Sequence, residues 1–133
     1  MQRFLTMAVL VGVIAGGAGV AEAKVVGITA SPNPAVLGDR VRYTIEVGAY
    51  ARLDAWVSAA GFQQPGYGTL PGGSWSYECC SQPTSGTPAW HYRSGGTVVP
   101  GSYRFGAVTR ARGTFLSSAL VGATMATTWV RVT

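Results

Sequence analysis

Cys79 and Cys80 stand side by side and are the only thiols in the chain. Thiols in an oxidising compartment tend to pair. Neighbouring residues on a regular strand point to opposite faces, however, so a bond between these two requires a strained turn. Three outcomes stay open: a vicinal disulfide, bonds to another chain, or free or metal-bound thiols. A vicinal bond closes a very small ring, removes little chain entropy and stiffens a loop more than it stabilises a fold. A metal centre needs further ligands. His91 is the sole histidine, Met125 is the one methionine beyond the N-terminal apolar run, and neither has ligand spacing to the cysteines. No metal and no cofactor is therefore expected.

The acid–base inventory beyond the N-terminal 23 residues is equally short: His91 with Asp39, Glu46, Asp54 and Glu78. No serine sits in a Gly-x-Ser-x-Gly elbow and no phosphate loop is present. His91 reads as an outward strand residue without a catalytic partner, so no catalytic residue is assigned and the chain is not expected to be an enzyme. The surplus lies in aromatic residues. Trp56, Trp75, Tyr77, Trp90, Tyr92 and Trp129 cannot all fit a small core that also takes Tyr43, Tyr103 and Phe105; the surplus either forms an exposed cluster of the kind that marks binding surfaces or fills the core and covers the Gly-rich excursion.

The elements that position these side chains begin after a leader. Arg3, an apolar Gly-rich run and Ala21-Glu22-Ala23 form the pattern of a secretory signal peptide over residues 1–23, with cleavage leaving Lys24 first. The remaining chain of about 110 residues supports one core, and no later stretch is apolar enough to span a bilayer. Losing Arg3 and Glu22 leaves nine bases and four acids, so the net charge stays +5. That balance favours an anionic partner such as an envelope polymer or acidic glycan, or serves solubility. No nucleic-acid partner is expected.

Abundant glycine together with Val, Thr, Tyr and Trp favours strands. Val41, Tyr43, Ile45 and Val47 alternate with Arg42, Thr44 and Glu46, the period of a half-buried strand. It follows a Pro32/Pro34 segment and a Gly38-Asp39 turn. Further strands are expected at 24–30, 53–59, 74–78, 87–93, around 101–107 and at 127–132. Residues 61–87 form an irregular Gly/Pro/aromatic excursion, a natural place for recognition. Residues 112–126 are small and apolar and receive no assignment.

Gly38-Asp39, the alternating strand after it, Gly101-Ser102-Tyr103 and the closing strand resemble those of bacterial immunoglobulin-like surface modules. The resemblance implies an all-β, antiparallel two-sheet sandwich of about seven strands over residues 24–133. It implies that Tyr103 ties its hydroxyl back at a corner, and that Phe105 and Ile45 stand where antibody domains carry an inter-sheet disulfide. Trp56 stays open: alternation places it on the wet face with Asp54, whereas the resemblance places it in the core. The family also sets strands three, six and seven side by side. Counting the strand at 101–107 as the sixth, Trp56, Arg104, Trp129 and Arg131 share one face with Gly106 as a trough, while Trp75 and Tyr77 offer a second surface on the excursion. The expected function is secreted, non-catalytic binding of a protein or anionic glycan at or outside the cell envelope. The alternative is a small carbohydrate-binding module using exposed aromatics, and a third class, an envelope enzyme or redox carrier, lacks visible chemistry.

Overall fold

The computed structural model of the protein describes residues 26–65, 74, 75 and 80–133, with Ser74, Trp75 and Cys80 entering through strand pairing alone. The expected leader, Tyr77 and Cys79 lie outside these residues. Among the described residues all regular structure is β. One antiparallel sheet has the order β1 (Val26–Ser31), β2 (Arg40–Val47), β7 (Gly101–Val108). The other has the order β4 (Ser74–Trp75), β6 (Pro88–Val98), β3 (Ala51–Ser58), β8 (Gly113–Val121), β9 (Thr124–Val132), and β5 (Cys80–Ser81) also pairs with β6. Seven of these strands are long and two, β4 and β5, are two-residue edges.

Alternation builds the shared core. Val41, Tyr43, Ile45 and Val47 of β2 point inward, while Arg40, Arg42 and Glu46 remain exposed. Phe105 and Ala107 of β7 and Val130 and Val132 of β9 repeat the pattern. Phe105 joins the layers: it stacks on Tyr43 at 4.8 Å with an 11° interplanar angle and lies 4.1 Å from the Tyr92 ring of the opposite sheet. The Tyr43 hydroxyl meets Ser117 Oγ across the sandwich at 2.7 Å. Burial pushes the phenols of Tyr43 and Tyr92 well above their ordinary range.

Two turns follow their sequence signals. Gly38 takes φ +96°, and Asp39 accepts the Val36 N–H at 2.9 Å through Oδ2, which closes the turn before β2. Gly122, at φ +62°, opens the two-residue Gly122-Ala123 loop between β8 and β9, the position glycine takes in a type II′ hairpin.

The middle of β8 has no alternation to read. Ser117, Ser118 and Ala119 are all buried, because β8 is covered on both faces: Ser117 meets Tyr43 of the opposite sheet, while Ser118 is bonded to the buried Gln82. This strand fills the region without a sequence assignment and changes the strand count. The strand at Gly101–Val108 is the fifth long strand, not the sixth, and pairs with β2 in the register Tyr43↔Phe105 and Thr44↔Arg104. Arg104 and Gly106 therefore belong to the sheet opposite Trp56 and Trp129, which corrects their expected common face. Tyr103 is half-buried, and its hydroxyl donates to the Val99 carbonyl at 2.6 Å, the backward tie expected of it.

Strand β6 carries an irregularity that sets up the outer face of the larger sheet. Arg52 pairs with Thr97 but Asp54 pairs with Arg93, so β6 holds two residues more than β3 across this step. The Leu53 N–H, left without a ladder partner, donates to Ser94 Oγ at 3.1 Å. Beyond the bulge the register runs Trp56↔His91 and Ser58↔Ala89.

Candidate binding groove

Outward positions of the larger sheet follow from its register. Trp129 of β9 lies opposite Leu116 of β8, and Arg131 lies opposite Thr114. Trp129 is 59% exposed, the one exposed tryptophan among the described residues. Its strand is an edge, yet that edge is closed. Asn33 donates through Nδ2 to the Trp129 carbonyl at 2.8 Å and accepts the Arg131 N–H at 3.0 Å, while the Ala35 N–H donates to the Arg131 carbonyl at 2.8 Å. These bonds fix the backbone under the indole and block strand addition.

Beside Trp129 opens a groove of about 510 Å³ with Leu116, Phe115 and Pro88 as apolar lining and Ser85, Thr87, Thr114 and Arg110 as polar lining. The Phe115 ring packs so closely on Gly61 that a Cβ there would collide with it. The Gly61 carbonyl in turn accepts the Arg110 N–H at 2.8 Å. One glycine thus seats the aromatic lining and anchors the backbone of the rim arginine. A flat indole, an apolar floor, several hydroxyls and a guanidinium can stack on the C–H face of a sugar ring while hydrogen-bonding its hydroxyls.

Trp56 resolves in a way neither expectation described. It shares the outer face with Asp54, as strict alternation requires, yet it is 7% exposed. Its indole stacks on the His91 imidazole, with centroids 4.6 Å apart and planes within 4°. His91 Nε2 lies 2.9 Å from Asp54 Oδ1, and Arg52 Nε approaches Oδ2 of the same carboxylate at 3.6 Å. Burial lowers the His91 pKa against the opposing pull of Asp54, so the ring is neutral at pH 7 and donates its Nε2–H. Its Nδ1 is the one buried side-chain nitrogen or oxygen without a hydrogen-bond partner among the described residues. His91 thus has an acidic partner that sequence spacing did not reveal, but among the described residues no hydroxyl is set against its free nitrogen. Ser118 Oγ donates instead to Gln82, and Ser58 Oγ accepts the Ala60 N–H.

The structure brings Trp129 and Arg131 together on one face, keeps Trp56 on that face but buried, and places Arg104 on the opposite sheet. Trp75 pairs through its backbone with Tyr92 on β6. Tyr77 and the Cys79–Cys80 pairing lie outside the described residues. The sequence reading missed Asn33, Arg110, Phe115 and Leu116. The last two sit in the unassigned region, and Arg110 owes its place to a bond with Gly61 far away in sequence.

Among the described residues no group of three His, Cys, Asp or Glu side chains gathers to hold a metal, and no helix is long and apolar enough to cross a membrane. Compared with known proteins, the chain matches no protein-family model and no curated protein.

Proposed function

We propose that this chain is a secreted, non-catalytic binding module of the immunoglobulin-like class that acts at or outside the cell envelope and takes a glycan in the groove beside Trp129. The strand order supports the class. The first, second and fifth long strands share one sheet and the third, sixth and seventh share the other, as in constant-type domains, whereas the fourth pairs with the third here and lies in the sheet of the first, second and fifth in that class. The leader pattern at residues 1–23 supports export.

The observation that carries the binding reading is the exposure of Trp129 on a backbone fixed by Asn33, above a groove of mixed apolar and hydroxyl lining. Leaving a rigid indole in water forgoes the stabilisation its burial would bring, and such residues anchor recognition. The non-catalytic reading is supported by the neutral, enclosed His91, whose free nitrogen meets no nucleophile among the described residues. Screening the exported protein and Trp129→Ala on an array of neutral and acidic oligosaccharides tests the reading. Binding that depends on Trp129 is expected, and an array with no Trp129-dependent signal refutes it.

A further inference from the structure

The outer face of the smaller sheet carries a second feature that the groove does not use. Arg40 and Arg42 are outward neighbours on β2. Arg104 of β7 lies opposite Thr44, the next outward position of β2. All three are exposed, and among the described residues none forms an ion pair or a side-chain hydrogen bond. They line a concavity of about 510 Å³ with the hydroxyl residues Thr29, Ser31 and Thr44, together with Pro32 and Asp39. Asp39 is the one acid in that lining, and its Oδ2 already accepts the Val36 N–H.

The spacing is set by the strand. Outward positions on β2 recur every two residues, roughly 7 Å apart, and Arg104 continues the line one strand across. Gly106 keeps the line open: it pairs with Arg42, and a Cβ there would crowd Arg40, its Nη1 at 3.1 Å. Like charges converge here without a counter-charge for each, an arrangement that costs self-repulsion and that an anionic ligand relieves. Guanidinium forks bind carboxylate, sulfate and phosphate oxygens in a bidentate manner.

We infer that Arg40, Arg42 and Arg104 form a binding track for a linear anionic polysaccharide, whose repeating acidic groups meet the arginines while its hydroxyls meet Thr29, Ser31 and Thr44. The rest of the lining chooses between polyanions. No aromatic side chain stands in the concavity to stack a nucleobase. Pro32 is its only apolar residue, so nothing there is suited to insert among lipid tails. Hydroxyls between cations suit a hydroxyl-rich chain.

The track and the Trp129 groove lie on opposite sheets and are tested separately. Binding of the mature protein to dextran sulfate, to uncharged dextran of the same length, to an oligo(dT) and to phosphatidylglycerol vesicles is measured at several salt concentrations. Dextran sulfate alone is expected to bind through the track, with affinity that falls as salt rises. The pair Arg42→Gln/Arg104→Gln is expected to lose at least tenfold in that affinity. The charge-matched pair Arg93→Gln/Arg112→Gln is expected to lose less than threefold, and Trp129→Ala to lose none. Equal losses in the two arginine pairs would overturn the inference in favour of net charge alone. Tighter binding of oligo(dT) or vesicles than of dextran sulfate would overturn it in favour of another polyanion, and absence of dextran sulfate binding would overturn it outright.

Discussion

The Trp56 indole lies flat on the His91 imidazole, 4.6 Å away and within 4° of parallel, on the face of the larger sheet that points away from the core. Both rings are nevertheless buried, and the Asp54 carboxylate holds the imidazole from its Nε2 side. An enclosed histidine of this kind records pH in the stability of the fold.

Burial lowers the His91 pKa below its ordinary value of 6.5. In the window between the folded value and 6.5 the unfolded chain binds the proton first, so stability falls as pH drops through that window. Urea unfolding at pH 7.5 and pH 5 should show a lower midpoint at pH 5. His91→Gln, which keeps a donor for Asp54 but does not titrate, should reduce that difference. An unchanged pH difference in the variant would place its origin elsewhere.

The Tyr43 hydroxyl and Ser117 Oγ, 2.7 Å apart, satisfy each other between the two sheets. Tyr43→Phe leaves the buried serine unpaired and should cost about 1–3 kcal/mol. Adding Ser117→Ala to it should recover part of that loss, since removing both partners is cheaper than removing one. Equilibrium denaturation of the two single variants and the double variant measures the coupling, and strict additivity would show that the bond contributes nothing.

Phe105→Ala empties the space between Tyr43 and Tyr92. Its cost should be about 3–5 kcal/mol, a large share of the 5–15 kcal/mol, roughly, that a domain possesses. A thermal midpoint that stays in place would contradict the inward assignment of this strand.

Gly61→Ala pushes a methyl into the Phe115 ring. Overpacking of this kind should destabilise by about 1–3 kcal/mol and should also weaken ligand binding, because Phe115 lines the groove. Gly96→Ala, where a Cβ meets nothing, is the control and should change neither stability nor binding.

Much of the core was legible because β2, β7 and β9 each have one dry face, so Tyr43, Ile45, Phe105 and Val130 announce themselves by alternation. β8 did not, since a central strand buried on both faces carries no period-2 signal and Ser117-Ser118-Ala119 is weak in strand propensity. Missing that one strand moved Arg104 onto the wrong sheet, since the strand between β3 and β9 is β8 and not the one that carries Arg104. Trp56 was undecidable for a related reason: β3 is covered on both sides, so burial and parity cease to be the same question. Trp129 and Arg131 were legible as a pair. Their groove partners Arg110 and Phe115 were not, because both depend on the contact with Gly61.

The most direct measurement is calorimetric titration of the protein with the best oligosaccharide from the array, repeated with Trp129→Ala and with Tyr50→Ala, an exposed aromatic outside the groove lining. Trp129→Ala should lose about tenfold or more in affinity, about 1.4 kcal/mol, with an unchanged thermal midpoint, and Tyr50→Ala should bind as the wild type does. Equal affinity in the wild type and Trp129→Ala would contradict binding in the groove.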